Sequence, residues 1–139
     1  MKKSLLNSNF LTTTVMLFVM FFTNAIIAQT NTWDGSSNIR WNVAANWSLN
    51  HVPLATEDVV IPTGTPRQPT VTGSTSAVCN NITINAGATL TFANNATSLL
   101  NISGNYTNNG TLNAGVSSKI SLVGASNQTI AGSSASNFG

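Results

Sequence analysis

The feature that most constrains this chain is the spacing of its aliphatic residues. Short apolar sets recur from Val59 onward: Val59-Val60-Ile61, Ile82-Thr-Ile84, Leu90-Thr-Phe92, Leu100-Asn-Ile102, Leu112, Ile120-Ser-Leu122 and Ile130. Within most sets the apolar residues stand two apart, the period of a strand with one buried face. Turn-forming clusters separate them: Asn85-Ala-Gly87, Asn94-Asn95, Asn108-Asn109-Gly110, Gly124 to Asn127 and Gly132-Ser-Ser. Two interleaved series can be traced, Ile82–Leu100–Ile120 and Leu90–Leu112–Ile130, and both return about every 20 residues, a period that signals a solenoid. Coils of that length stack so that equivalent strands pair in parallel. The expected fold is therefore all-β, a right-handed parallel β-helix. An antiparallel β-sandwich, with short strands every ~8–12 residues, is the competing architecture, and an unfolded low-complexity chain is the third.

Composition supports strands over helices. From Gln29 onward, Asn, Thr, Ser and Gly make up 56 of 111 residues. Asn, Ser and Thr compete for backbone hydrogen bonds, and Gly costs about 1 kcal/mol against Ala in a helix. In a solenoid the same residues serve outside, where Asn and Thr form hydrogen-bonding ladders along the stack. Charge is scarce, at 6% of the chain. Beyond Gln29, Arg40, Arg67 and Lys119 balance Asp34, Glu57 and Asp58, so that segment is neutral. Nucleic-acid binding needs clustered Lys and Arg to neutralise phosphates, and no cluster exists.

Three segments follow from this reading. Residues 1–28 read as a signal peptide. Lys2 and Lys3 precede an apolar stretch from Phe10 to Phe22, and Ala25-Ile26-Ile27-Ala28 offers a cleavage edge. The stretch is short of the ~20 apolar residues of a membrane span and contains Thr12, Thr13 and Thr14, so the membrane is expected to enter only through export; an uncleaved anchor or a lipoprotein is the alternative. Residues 29–62 read as a Trp-rich cap, since a solenoid's first coil exposes an apolar end and unpaired edges. Trp33, Trp41 and Trp47 all fall there. They are the candidate ligand-binding residues too, because exposed indole faces stack on sugar rings. Residues 63–139 read as β-helix coils.

The chemistry-bearing residues are few. The acids Glu57 and Asp58 are adjacent, so a strand would point them to opposite faces, whereas glycoside hydrolysis usually needs two facing carboxylates. Zinc asks for three or four Cys, His or acidic ligands, and the chain has one Cys and one His. Calcium asks for clustered oxygen donors, and residues 63–139 contain no Asp or Glu. No catalytic residue, metal site or cofactor is expected. Cys79 is expected to be structural and His51 a turn residue. The Asn-x-Ser/Thr sequons at Asn46, Asn81, Asn95, Asn101, Asn105, Asn109 and Asn127 follow from Asn, Ser and Thr richness. Thr70-Val-Thr72 and Thr89-Leu-Thr91 would also fit a face that orders water at a crystal surface.

Trp33-x-Gly35, Trp41, Asn46-Trp47-Ser48, Val52-Pro53 and Glu57-Asp58-Val59-Val60-Ile61-Pro62 together resemble the start of large secreted bacterial surface proteins. Those are repetitive, adhesin-like parallel β-helix chains that often end in a secretion-sorting domain. Ala77 to Ile84 with Gly87-Ala-Thr-Leu90 resembles their first coils, and Asn127-Gln128-Thr129-Ile130-x-Gly132 with Asn137-Phe138 resembles a later one. The resemblance implies a structural, adhesin-like role without catalysis, secreted or on the outer cell surface. The partners it implies are extracellular polysaccharide or cell-surface components. A carbohydrate-binding module using the Trp-rich segment or the Asn/Thr face is the alternative. Because the chain stops at Gly139 in mid-repeat, it is expected to be truncated or the first portion of a longer one. N-terminal sequencing of exported material is predicted to begin within a few residues of Gln29; a start at Met1 would contradict the leader.

Overall fold

The structure, a computed structural model, describes residues 27–73, 76–94 and 97–136. The expected leader falls almost wholly on residues 1–26, outside the described residues, as do the sequon at Asn95 and the Asn137-Phe138 pair. Eleven short strands run in chain order: β1 (Thr30–Thr32), β2 (Asp58–Ile61), β3 (Thr70–Val71), β4 (Ala77–Cys79), β5 (Ile82–Ile84), β6 (Thr89–Phe92), β7 (Leu99–Ile102), β8 (Tyr106–Asn108), β9 (Thr111–Asn113), β10 (Lys119–Leu122) and β11 (Ile130–Ala131). One 3₁₀ turn (Ala44–Asn46) is the sole helical element among the described residues. No helix among them is long and apolar enough to cross a membrane.

Every ladder between these strands is parallel. They form three sheets, β1-β2-β5-β8-β11, β4-β7-β10 and β3-β6-β9, and neighbours in each sheet come from successive coils. The chain is thus a β-solenoid of about three turns. Parallel partners cannot be joined by a tight hairpin. From β2 onward the chain visits the other two sheets before it returns to the first. The antiparallel sandwich is excluded by the same ladders.

Alternation decides which side chains enter. In the first sheet Asn31, Val59, Ile82, Tyr106 and Ile130 stand in register, and Ile61, Ile84 and Asn108 form the next row. Ala77, Leu100 and Ile120, with Cys79, Ile102 and Leu122, do the same in the second. Val71 with Phe92, and Leu90 with Leu112, line the third. Most of these residues are fully buried in one continuous core. At the last rung the apolar face reaches solvent: Leu122, Val123 and Ile130 are exposed.

The two series of aliphatic residues do not correspond to two sheets. Ile82 stacks on Tyr106, and Leu100 lies between Ala77 and Ile120. Leu90 does pair with Leu112, but Ile130 continues the row of Tyr106 instead. Each turn has three strands, not two. The extra positions are filled by Ala77, Cys79, Tyr106 and Asn108, which do not stand out as aliphatic. The segment 29–62 contains β1 and β2, so the first sheet begins at Thr30, and residues 33–57 form an excursion between its first two strands.

Asparagines hold the coils in register just before the first sheet's strands. The carboxylate of Asp58 accepts from the backbone and side-chain nitrogens of Asn81, at 3.1 and 2.8 Å. Asn81 Oδ1 accepts from the amide of Asn105 at 2.7 Å, and Asn105 Oδ1 from that of Thr129 at 2.8 Å. A second column repeats the device, with Asn109 Oδ1 receiving Ser133 N at 3.0 Å. The side chains therefore reach from coil to coil, as expected of ladders along a stack. Gly110 follows Asn109 for a steric reason: a Cβ there would run into the carbonyls of Asn85 and Ala88.

Leu90 is fully buried, whereas its strand neighbour Thr91 points outward. Leu90→Ala is predicted to lower stability by about 2–5 kcal/mol, the range for a large core deletion. Thr91→Ala should stay within about 0.5 kcal/mol. Urea unfolding followed by far-UV circular dichroism distinguishes the two.

Candidate functional site

The residues singled out for ligand binding lie in the excursion between β1 and β2. Trp33 leaves β1 and forms an antiparallel bridge with Trp47. Its indole meets that of Trp47 edge to face, centroids 5.0 Å apart, and Trp41 meets Trp47 the same way at 4.7 Å. Edge-to-face is a favoured geometry for aromatic pairs, since the positive rim of one ring faces the negative face of the other. Trp33 Nε1 donates to the carbonyl of Arg67 at 2.7 Å, and Trp47 Nε1 to that of Trp41 at 2.8 Å. The Trp41 Nε1–H is buried without an acceptor among the described residues.

All three tryptophans are inside: 0% exposed for Trp33, 2% for Trp41 and 1% for Trp47. No indole face is open to a pyranose ring, so the expectation of a tryptophan stacking platform is corrected. The physical reason is the solenoid's first coil. Its interior is apolar, and three large rings packed edge to face are part of it. They belong to the same core as Val59, Ile61 and Val71.

Asn46 folds this excursion. Buried beside Trp47, it accepts the amides of Ser37 and Asn38 on Oδ1, at 3.0 and 2.9 Å. Through Nδ2 it donates to Asn38 Oδ1 and to the carbonyl of Arg40, at 3.0 and 2.9 Å. Its amide group is thereby spent on the fold. Arg67 closes the far side, Nη1 donating to the carbonyls of Gly35 and Ser36 at 3.2 and 3.0 Å. Gly35 has φ of +61°, and a Cβ there would collide with the Arg67 carbonyl, which accounts for the Trp33-x-Gly35 pairing.

The acids are separated by role. Asp34 accepts from the amide of Ser36 at 2.9 Å in a local turn. Asp58 holds Asn80 and Asn81 of the next coil. Glu57 is buried and meets His51, Nε2 to Oε1 at 2.7 Å. Burial alone would raise the Glu57 carboxyl, but hydrogen bonds from His51, Leu54 and Asn31 outweigh it and lower its pKa. His51 is correspondingly raised, chiefly by its bond to Glu57. It is thus more than a turn residue. Sequence reasoning had no means of pairing it with Glu57 because the intervening loop shows no periodicity. Among the described residues, no three His, Cys, Asp or Glu side chains are grouped to hold a metal ion.

Cys79 lies in the core, where burial, with a contribution from Asp58, pushes its thiol up to about 12. A thiol that does not ionise is a poor nucleophile. Near the last rung Tyr106, Ile120, Leu122 and Ile130 line an open hollow of about 160 Å³. Outside, the side chains line up in rows. Thr70, Thr91 and Asn113 share one column of the third sheet, and Thr89 and Thr111 the next. Thr32, Val60, Thr83 and Thr107 form a column on the first.

Trp47→Ala is predicted to cost about 3–5 kcal/mol, as for other buried aromatics. In the parent chain soluble polysaccharide should leave the tryptophan emission unchanged. Thermal unfolding and a fluorescence titration check the two statements.

No curated protein and no solved structure matches the chain. A family model described as a domain of unknown function (DUF8693) matches residues 32–137. That span takes in all the strands except the start of β1, and the chain belongs to this family.

Proposed function

We propose that this chain is a structural, adhesin-like β-helix segment, secreted or displayed at the outer cell surface, that makes contact through its flanks without catalysis. The observation that carries the reading is the set of outward columns. Thr70, Thr91 and Asn113 stand beside Thr89 and Thr111 on one sheet. Neighbouring coils of such a sheet are spaced by ~4.8 Å, and alternate residues along a strand by roughly 7 Å. A regular grid of hydroxyl and amide groups on a stiff backbone suits a repetitive, uncharged, hydrogen-bonding partner such as extracellular polysaccharide. The near-neutral charge agrees with such a partner, and the resemblance to secreted surface proteins points the same way. Each contact is shallow, so useful strength comes from many at once.

The test is adhesion of the chain, displayed at high density on beads, to immobilised polysaccharides. A double variant, Thr89→Glu with Thr91→Glu, places like charges on the face without touching the core. Beads carrying the parent chain should adhere far better than the monomer binds in solution, and the variant should lose adhesion while keeping its circular dichroism. One tight stoichiometric site in calorimetry, or full adhesion by the variant, would overturn the proposal.

A further inference from the structure

We propose that His51 and Glu57 form a proton-controlled latch, which fastens the loop of residues 49–57 over β1 and releases it when His51 loses its proton or Glu57 gains one. The geometry fits an imidazolium–carboxylate pair, the state favoured by the raised His51 and the lowered Glu57. His51 Nε2 lies 2.7 Å from Glu57 Oε1, and Nδ1 lies 3.1 Å from the carbonyl of Leu49. A neutral imidazole has a single N–H; only imidazolium donates from both nitrogens. Around Glu57 the remaining neighbours are donors too: Leu54 N at 3.0 Å and Asn31 Nδ2 at 3.4 Å, both to Oε2. A carboxylate accepts all of them.

Asn31 makes the pair a fastening. It is fully buried on β1, the strand that ends the five-stranded sheet. Its Nδ2 also donates to the carbonyl of His51 at 3.0 Å, and its Oδ1 accepts the amide of Leu49 at 3.3 Å. The loop is thus tied to β1 at Leu49, His51 and Glu57, and closed on itself through Leu54. The His51 side chain is 43% exposed, against 7% for Glu57, so solvent protons reach the latch.

Few other groups interfere. β1 carries Thr30, Asn31 and Thr32 and has no titratable side chain. On β2 the carboxylate of Asp58 is turned to Asn80 and Asn81. From the turn before β5, Asn80 contributes its backbone amide, which donates to the Glu57 carbonyl. Within the loop, His51 and Glu57 are the titratable residues, and each acts on the other.

The signs follow from linkage. His51 is raised above its ordinary 6.5, so its contribution is complete below pH 6.5 and is lost as pH rises through the folded value. Glu57 is lowered from its ordinary 4.5, so its contribution is complete above pH 4.5 and is lost as pH falls through its folded value. The latch is tightest between those two reference values.

With one histidine in the chain, nitrogen NMR reads His51 without ambiguity. On the ¹⁵N-labelled full chain, both ring nitrogens should be protonated at pH 5.5, and the midpoint should lie above 6.5. Hydrogen exchange at Leu49 and Leu54, corrected for intrinsic rate, gives the opening of the loop. Protection should fall tenfold for each unit by which the midpoint exceeds 6.5, then level off. Glu57→Gln should return the midpoint toward 6.5. Should that buried change unfold the chain, His51→Gln, at a half-exposed position, serves instead and should flatten the protection profile above pH 6.5. A neutral ring at pH 5.5, a midpoint at or below 6.5, or protection that ignores the midpoint overturns the latch. So does a parent-like profile in His51→Gln.

Discussion

In-register parallel pairing of successive coils is the constraint on which the rest of this structure depends. One coil cannot bury its apolar side chains alone. Placed on the next, each inward residue meets its counterpart: Val59 meets Ile82, Leu100 meets Ile120, and Leu90 meets Leu112. Because the side-chain period along a strand is two, a slip of one residue would turn every aliphatic outward. Apolar burial therefore fixes register, and register in turn places the outward residues in columns.

Asparagine side chains do much of the work that ion pairs perform elsewhere, in a column that begins at the Asp58 carboxylate. Asp58, Asn81 and Asn105 each give a side-chain oxygen to the amide one coil on. Buried asparagines finish the backbone where strands cannot. Asn46 organises the turn beneath the tryptophans, and Asn31 joins the 49–57 loop to β1. An amide can donate and accept at once, so it satisfies mixed sets of backbone groups without the desolvation penalty of a buried ion. Glu57 is the buried exception, with His51 against it.

Much of the fold was legible in the sequence, because a two-residue alternation and a recurrence near twenty leave few alternatives to stacked parallel coils. The number of strands per turn was not. Ala77, Cys79 and Asn108 occupy inward positions that a search for large aliphatics passes over, and turn lengths vary: the pairing interval is 28 from Asn31 to Val59, and from β2 onward it runs from 20 between Leu100 and Ile120 to 24 between Tyr106 and Ile130. The tryptophans were recognisable as a group. Whether their faces met solvent or one another depended on how the excursion folds back, through Asn46 and Arg67, and no local pattern encodes that.

By itself the sequence determined the class of structure: strands over helices, repetition over a single closed core, and a neutral, amide-rich surface. Those are consequences of composition and local period, which act within a few residues. Tertiary structure alone decided which positions stack, that Trp33, Trp41 and Trp47 are packed into the core, and that His51 meets Glu57. The stacked pairs join residues 20 or more apart in the chain, and even His51 and Glu57, six apart, meet in a loop held by Asn31 of β1. Such contacts exist only after the coils have set the distances between them.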